Sequence, residues 1–176
     1  MHCIVRQREE LSFVNDKIKS IRNEESQMED KKILHIGDKA YFYKTISDAD
    51  VYQFAGLTGD FSRIHVDTEF AKKQRFGRPI AHGLLTSSFI STVMGMTLPG
   101  SGTVFLDEYV EFKAPTFFGD TITTEVEFVN SVEKSTCYIG EFKGTCTNQR
   151  GEVVCRATCH QMMTKEIFVV VNAWER

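Results

Sequence analysis

The sequence predicts an α+β chain in which one long antiparallel sheet curls around one buried central helix. Three observations predict it. Residues 81–98 carry apolar and small side chains on nearly every face (Leu84, Leu85, Ser88, Phe89, Thr92, Val93, Met96), and a helix without a strongly charged side is a buried one. After Pro99-Gly100 the chain reads as long strands rich in Val, Ile, Thr, Phe and Tyr, at 103–113, 120–132, 136–147 and 152–164. Turns at Gly119-Asp120, Glu133-Lys134-Ser135 and 148–151 join them in short-turn order, as in an antiparallel meander.

The elements follow in order. Residues 1–32 read as an amino-terminal extension: Leu11, Val14, Ile18 and Ile21 form a narrow helical stripe, and 25–32 is a polar linker. A frayed extension fits this segment equally well. The domain is expected over 33–171, with 172–176 as a tail. Residues 39–45 alternate as a strand. Ser47-Asp48-Ala49-Asp50 supplies a cap and first-turn acids for a short helix that Gly59 stops. Residues 58–67 are expected to be a non-helical connection. Asp67 caps a second short helix with Phe70 and Ala71 inward, and Phe76-Gly77-Arg78-Pro79 breaks the chain.

Composition excludes several classes. With 176 residues, 41% of them hydrophobic, the chain is long enough to enclose one core. A net charge of -3 from 21 basic and 24 acidic residues argues against a nucleic-acid partner, which would require a clustered basic surplus. No apolar run is long enough to span a bilayer; the longest, 167–171, is strand-sized. Residues 1–32 fit neither a secretory signal nor a transit peptide, so a cytoplasmic location is expected. Five cysteines with no CxxC pair read as small hydrophobes in strands, not as disulfides, and no metal site is expected, Cys155, Cys159 and His160 lacking ligand spacing. Gly100-Ser101-Gly102 is a lone GxG without the strand-to-helix context of a nucleotide site.

Two segments could carry chemistry. In 58–67, Asp60 and His65 stand in a connection just after a glycine, and an Asp–His pair moves protons readily near neutral pH. A capped turn and a satisfied packed imidazole explain the same two residues without chemistry. In 78–86, Gly83 sits at the mouth of the central helix, where backbone can approach a ligand and free N–H groups can meet developing negative charge. Tight packing of the helix start against a strand explains that glycine as well.

Together these segments resemble the MaoC-like dehydratases, including the (R)-specific enoyl-CoA hydratases. Gly59-Asp60-Phe61-Ser62-Arg63-Ile64-His65-Val66-Asp67 is similar to that family's GDxNPxHxD signature, and Ile80-Ala81-His82-Gly83-Leu84-Leu85 to its AHG helix entry. Thr103-Val104-Phe105-Leu106, Phe112-Lys113-Ala114-Pro115 and Gly119-Asp120-Thr121-Ile122 follow its strand pattern, so the resemblance runs over about 35–163. It implies a hot-dog fold and a homodimer, or higher homo-oligomer, whose sheets join edge to edge. It also implies reversible hydration of a trans-2-enoyl thioester, carried by CoA or an acyl-carrier protein, to an (R)-3-hydroxyacyl thioester, with no cofactor. Asp60 and His65 become the catalytic pair, the Gly83 N–H the oxyanion donor, and Ser62, Arg63 and His82 substrate-binding residues. Ser62-Arg63 departs from the family's Asn-Pro, which places a hydroxyl and a cation beside the site. Two other functions remain open on this sequence: an acyl-CoA thioesterase of the same fold, and a non-catalytic acyl-thioester-binding protein.

Overall fold

A computed structural model describes residues 31–171. The expected amino-terminal helix and the tail at 172–176 lie outside the described residues. The chain runs β1 (Lys32–His35), β2 (Lys39–Thr45), α1 (Asp48–Thr58), α2 (Arg63–Val66), α3 (Thr68–Lys72), α4 (Gly83–Met96), β3 (Thr103–Phe112), β4 (Thr121–Glu133), β5 (Cys137–Asn148), β6 (Val153–Thr164) and β7 (Phe168–Val171).

Strands β2 to β6 form one antiparallel sheet in the order β2-β4-β5-β6-β3. Only β4-β5-β6 is a meander. The expected run of four sequential neighbours fails at β3, which crosses to the far edge and pairs with β6. Helix α4 lies between β2 and β3 in sequence and packs against every strand of the sheet. Laying the helix across the sheet therefore separates the strands before and after it onto opposite edges. A second, two-stranded sheet pairs β1 with β7 in parallel, which the sequence did not foretell.

Period-2 alternation builds the core. Ile122, Thr124, Val126 and Phe128 of β4 point inward beside Phe142 and Cys146 of β5 and Cys155, Cys159 and Met163 of β6. Phe89, Ile90, Val93 and Met94 of α4 fill the concave face. Gly144 makes this approach possible: a Cβ there would lie 2.6 Å from Ile90 Cδ1, so any other residue would push the helix off the sheet. Irregular register between Phe128 and Asn130, and between Phe105 and Asp107, adds the local bend that lets the sheet wrap. The same alternation sends His160 to the face opposite Cys155 and Cys159, where it meets Asp107 at 2.6 Å. These three residues cannot share an ion.

One face of α4 corrects the expectation of complete burial. Leu84, Ser88, Ser91, Gly95 and Met96 are exposed in the single chain.

The turn before β4 carries the buried charge that braces the site. Burial pushes the Asp120 carboxyl up. The Arg150 guanidinium at 2.8 Å, the Phe117 N–H at 3.0 Å and the Gln149 amide at 2.8 Å outweigh it and hold the carboxyl at about 2. A lowered folded-state value stabilises the fold fully above the unfolded carboxyl's ~4 and loses that contribution as pH falls toward about 2. The shift corresponds to ~2–3 kcal/mol. Asp120→Asn is therefore expected to lower the melting temperature at pH 7 by roughly 5–10 °C. Calorimetry should find the gap from wild type narrowing between pH ~4 and ~2.

Candidate active site

The loops between α1 and α4 assemble the site. Ser47 caps α1 with a reciprocal box: its hydroxyl accepts from the Asp50 N–H and the Asp50 carboxylate accepts from the Ser47 N–H. Gly59 ends the helix in the left-handed region at φ 79°, a conformation that costs glycine little. The chain thereby turns at once into Asp60. Asp60 Oδ1 accepts the Ser62 N–H at 3.1 Å, a tight turn that aims the carboxylate. His65 then lies on α2, a single helical turn and not the expected irregular connection, whose start brings the imidazole round to the Ile80 strand-like segment.

Carbonyl partners fix both histidine tautomers, because a carbonyl oxygen can only accept. His65 Nδ1–H donates to Ile80 O at 2.8 Å, which leaves the lone pair on Nε2. His82 Nε2–H donates to Asp60 O at 2.9 Å, and its Nδ1 is buried without a partner. The two rings lie 3.9 Å apart between centroids, inclined by 31°. One Asp60 carboxylate oxygen and one ring nitrogen from each histidine lie within 4.8 Å of one another. No direct hydrogen bond joins Asp60 to His65 among the described residues; a gap of this size is bridged by one water. A shared cation suits the trio poorly. One nitrogen of each ring is already engaged, the His65 Nδ1 with the Ile80 carbonyl and the His82 Nε2 with the Asp60 carbonyl, and the His82 Nδ1 is buried.

His65 and Gly83 line a cavity of about 380 Å³ with Phe76, Phe112, Thr86 and Thr116. Asp60 is not among the residues that line it, and its side chain is 55% exposed in the single chain. Gly83 opens α4, with no side chain capping the helix. The Phe112 ring presses against it, 2.9 Å from where a Cβ would stand. The glycine packs tightly against that ring, and no side chain caps the helix start it opens. Thr116 O accepts the Ala81 N–H at 2.8 Å, so the turn braced by Asp120 holds the segment that in turn orients His65.

The remaining expected substrate-binding residues go elsewhere. Arg63 gives Nε and Nη2 to Asp67 at 2.9 and 2.8 Å and stacks over Phe70, so its cation is occupied away from the cavity. Ser62 contributes its backbone N–H to Asp60. His82 is 3% exposed and lies behind His65, outside the cavity lining. Among the aromatic residues, Phe76 and Phe112 line the cavity; Phe54 packs on His82, Phe61 is exposed, and Phe89 packs on Phe42. Sequence reasoning missed the rim cations Arg75 and Lys113. Lys113 stands in the quoted Phe-Lys-Ala-Pro corner, the one signal that could have flagged it.

Known proteins are similar to this chain in sequence and in fold. The family model described as MaoC like domain matches residues 33–147. An (R)-specific enoyl-CoA hydratase of Rhodospirillum rubrum is 40% identical over 111 residues, covering 63% of this chain and 76% of that protein. Another, of Aeromonas caviae, is 44% identical over 94 residues, covering 53% and 70%. The solved structure of the (R)-hydratase from A. caviae involved in PHA biosynthesis superposes with a TM-score of 0.70 at 34% identity, over 74% of this chain and 97% of that one. A sheet wound around α4, with the Asp60 and His82 segments meeting at its tip, is thus the hot-dog fold, and the chain belongs to the MaoC-like domain family.

Proposed function

We infer that this chain is a hydro-lyase that interconverts trans-2-enoyl and (R)-3-hydroxyacyl thioesters, a reading supported by relatives named (R)-specific enoyl-CoA hydratase and 3-hydroxybutyryl-CoA dehydratase. One observation supports the assignment of residues: a ring nitrogen of His65 and an Asp60 carboxylate oxygen lie within 4.8 Å of one another, and His65 and Gly83 both line the cavity. In the proposed reaction Asp60 and His65 hold one water between them. His65 Nε2 takes a proton as the water oxygen bonds to C3, and the C2–C3 π electrons move onto the thioester as an enolate. The Gly83 N–H meets the charge on the thioester oxygen without reorganising. The pair then returns the proton to C2, so water has added as OH at C3 and H at C2 and the base is restored. Turnover of enoyl-CoAs of rising chain length, followed by loss of the conjugated absorbance, tests this; hydration with a clear length maximum is expected.

Several further points belong to this reading. The exposed stripe of α4 and the edge strand β3, with Val104, Leu106 and Tyr109 exposed, support a homodimer joined through β3 that covers the site. Free thiols at Cys137, Cys146, Cys155 and Cys159 fit the reducing cytoplasm, and no helix among the described residues is long and apolar enough to cross a membrane. The chemistry asks for no cofactor. Arg75 and Lys113, the latter with its Nζ 3.0 Å from Glu111, line the cavity and favour CoA, with its phosphates, as the carrier. Replacing both by alanine should raise KM for crotonyl-CoA by about tenfold with kcat unchanged, the pattern of uniform binding loss. A crotonyl-pantetheine substrate lacking the nucleotide should show no such change.

A further inference from the structure

We propose that His82 is the positioning residue of the active site: its Nε2–H ties the Asp60 loop to the start of α4 and its ring fixes the plane of His65. This rests on the catalytic reading of Asp60 and His65 above.

Three contacts converge on this one side chain. Nε2–H donates to the Asp60 carbonyl at 2.9 Å and lies 3.8 Å from Asp60 Oδ2. The ring lies against His65 with centroids 3.9 Å apart and planes inclined by 31°, and against Phe54 with centroids 5.0 Å apart. The residue itself caps α4 at φ -61° and ψ 135°, so the next peptide N–H is that of Gly83. Both members of the proposed pair and the oxyanion donor are therefore one contact or one bond from His82.

The buried orphan argues that packing alone does not explain this histidine. His82 is 3% exposed, and its Nδ1 has no hydrogen-bond partner. A Phe would fill a space of this kind and stack on His65 without leaving a lone pair unmet. What Phe lacks is the Nε2–H. The orphan at Nδ1 is the consequence of keeping that donor on an aromatic ring. Its Nδ1 faces no partner and its Nε2–H is already given to the Asp60 carbonyl, so neither ring nitrogen is turned to a substrate. His82 thus holds position and leaves proton transfer to its neighbour.

Three variants separate the ring from the donor. His82→Phe keeps the stack and removes the donor, His82→Gln keeps a donor and removes the stack, and His82→Ala removes both. The expected result is a loss of about 10²-fold in kcat for His82→Ala and His82→Phe, with KM within about threefold, since a misplacement of ~1 Å suffices for that. His82→Gln, which restores the donor without the ring, should recover to about tenfold below wild type, the remaining loss reporting the missing contact with His65. In wild type, ¹⁵N spectra should show His65 protonated at Nδ1 alone, and His82→Ala should mix its tautomers. Wild-type kcat in His82→Phe, or an unchanged His65 spectrum in His82→Ala, would overturn the proposal. If His82→Ala does not fold, the Phe and Gln pair decides alone. Full activity of His65→Ala would instead sink the catalytic reading, while the His65 spectrum continues to report whether His82 holds its neighbour.

Discussion

Asp60→Asn and His65→Ala each lower kcat for crotonyl-CoA hydration by at least ~10³-fold, with KM changed by much less. The reason is positional. Both groups meet the same water, and neither has a substitute within reach: Arg63 is held by Asp67, and the His82 Nε2–H is committed to the Asp60 carbonyl. Asp60→Asn is the cleaner of the two. The amide oxygen can still accept the Ser62 N–H, so the turn survives while the charge disappears. His65→Ala also loses the bond to Ile80 O and the stack on His82, which adds ~1–2 kcal/mol of instability that a melting curve separates from the kinetic loss. Because the two act on one proton, the double variant falls less than about tenfold below the worse single one. Additive losses would mean the residues work in separate steps.

Gly83→Pro carries the second large effect. Proline removes the N–H that the mechanism requires, at a position where it otherwise fits. It is favoured as the first residue of a helix, and His82 already holds the extended backbone that a following proline demands, at φ -61° and ψ 135°. The Phe112 ring stands in the way, since a Cβ at 83 would lie 2.9 Å from it. The comparison is therefore made with Phe112→Ala present in both chains. Against Gly83→Ala/Phe112→Ala, the Gly83→Pro/Phe112→Ala chain loses ~10²–10³ in kcat, the value of one oxyanion donor. Equal kcat in the two chains would remove Gly83 from the mechanism.

What the sequence revealed followed from local chemistry. The Ser47 and Asp67 caps, the stop at Gly59 and the long alternating strands are each dictated within a few residues, and each is found in place. Strand order is not local. β3 leaves its sequence neighbour because α4 must cross the sheet, and nothing within residues 103–113 records that. The exposed stripe of α4 was hidden for a related reason, since Ser and Gly are equally at home in a packed seam and on a surface. Asp60, His65 and Gly83 stood out by residue type and by resemblance. His82 stood out only as a neighbour of Gly83, and its burial behind His65 depends on two loops meeting. Arg75 and Lys113 reach one rim from distant parts of the chain, which no single motif could reveal.

Crotonyl-CoA incubated with the wild-type chain in H₂¹⁸O gives the most direct test of where the water goes. The account predicts one ¹⁸O in the C3 hydroxyl of (R)-3-hydroxybutyryl-CoA, with the thioester intact and no free thiol. Label in a released carboxylate, with CoA thiol set free, would mean that water attacks the carbonyl and would contradict hydration at C3.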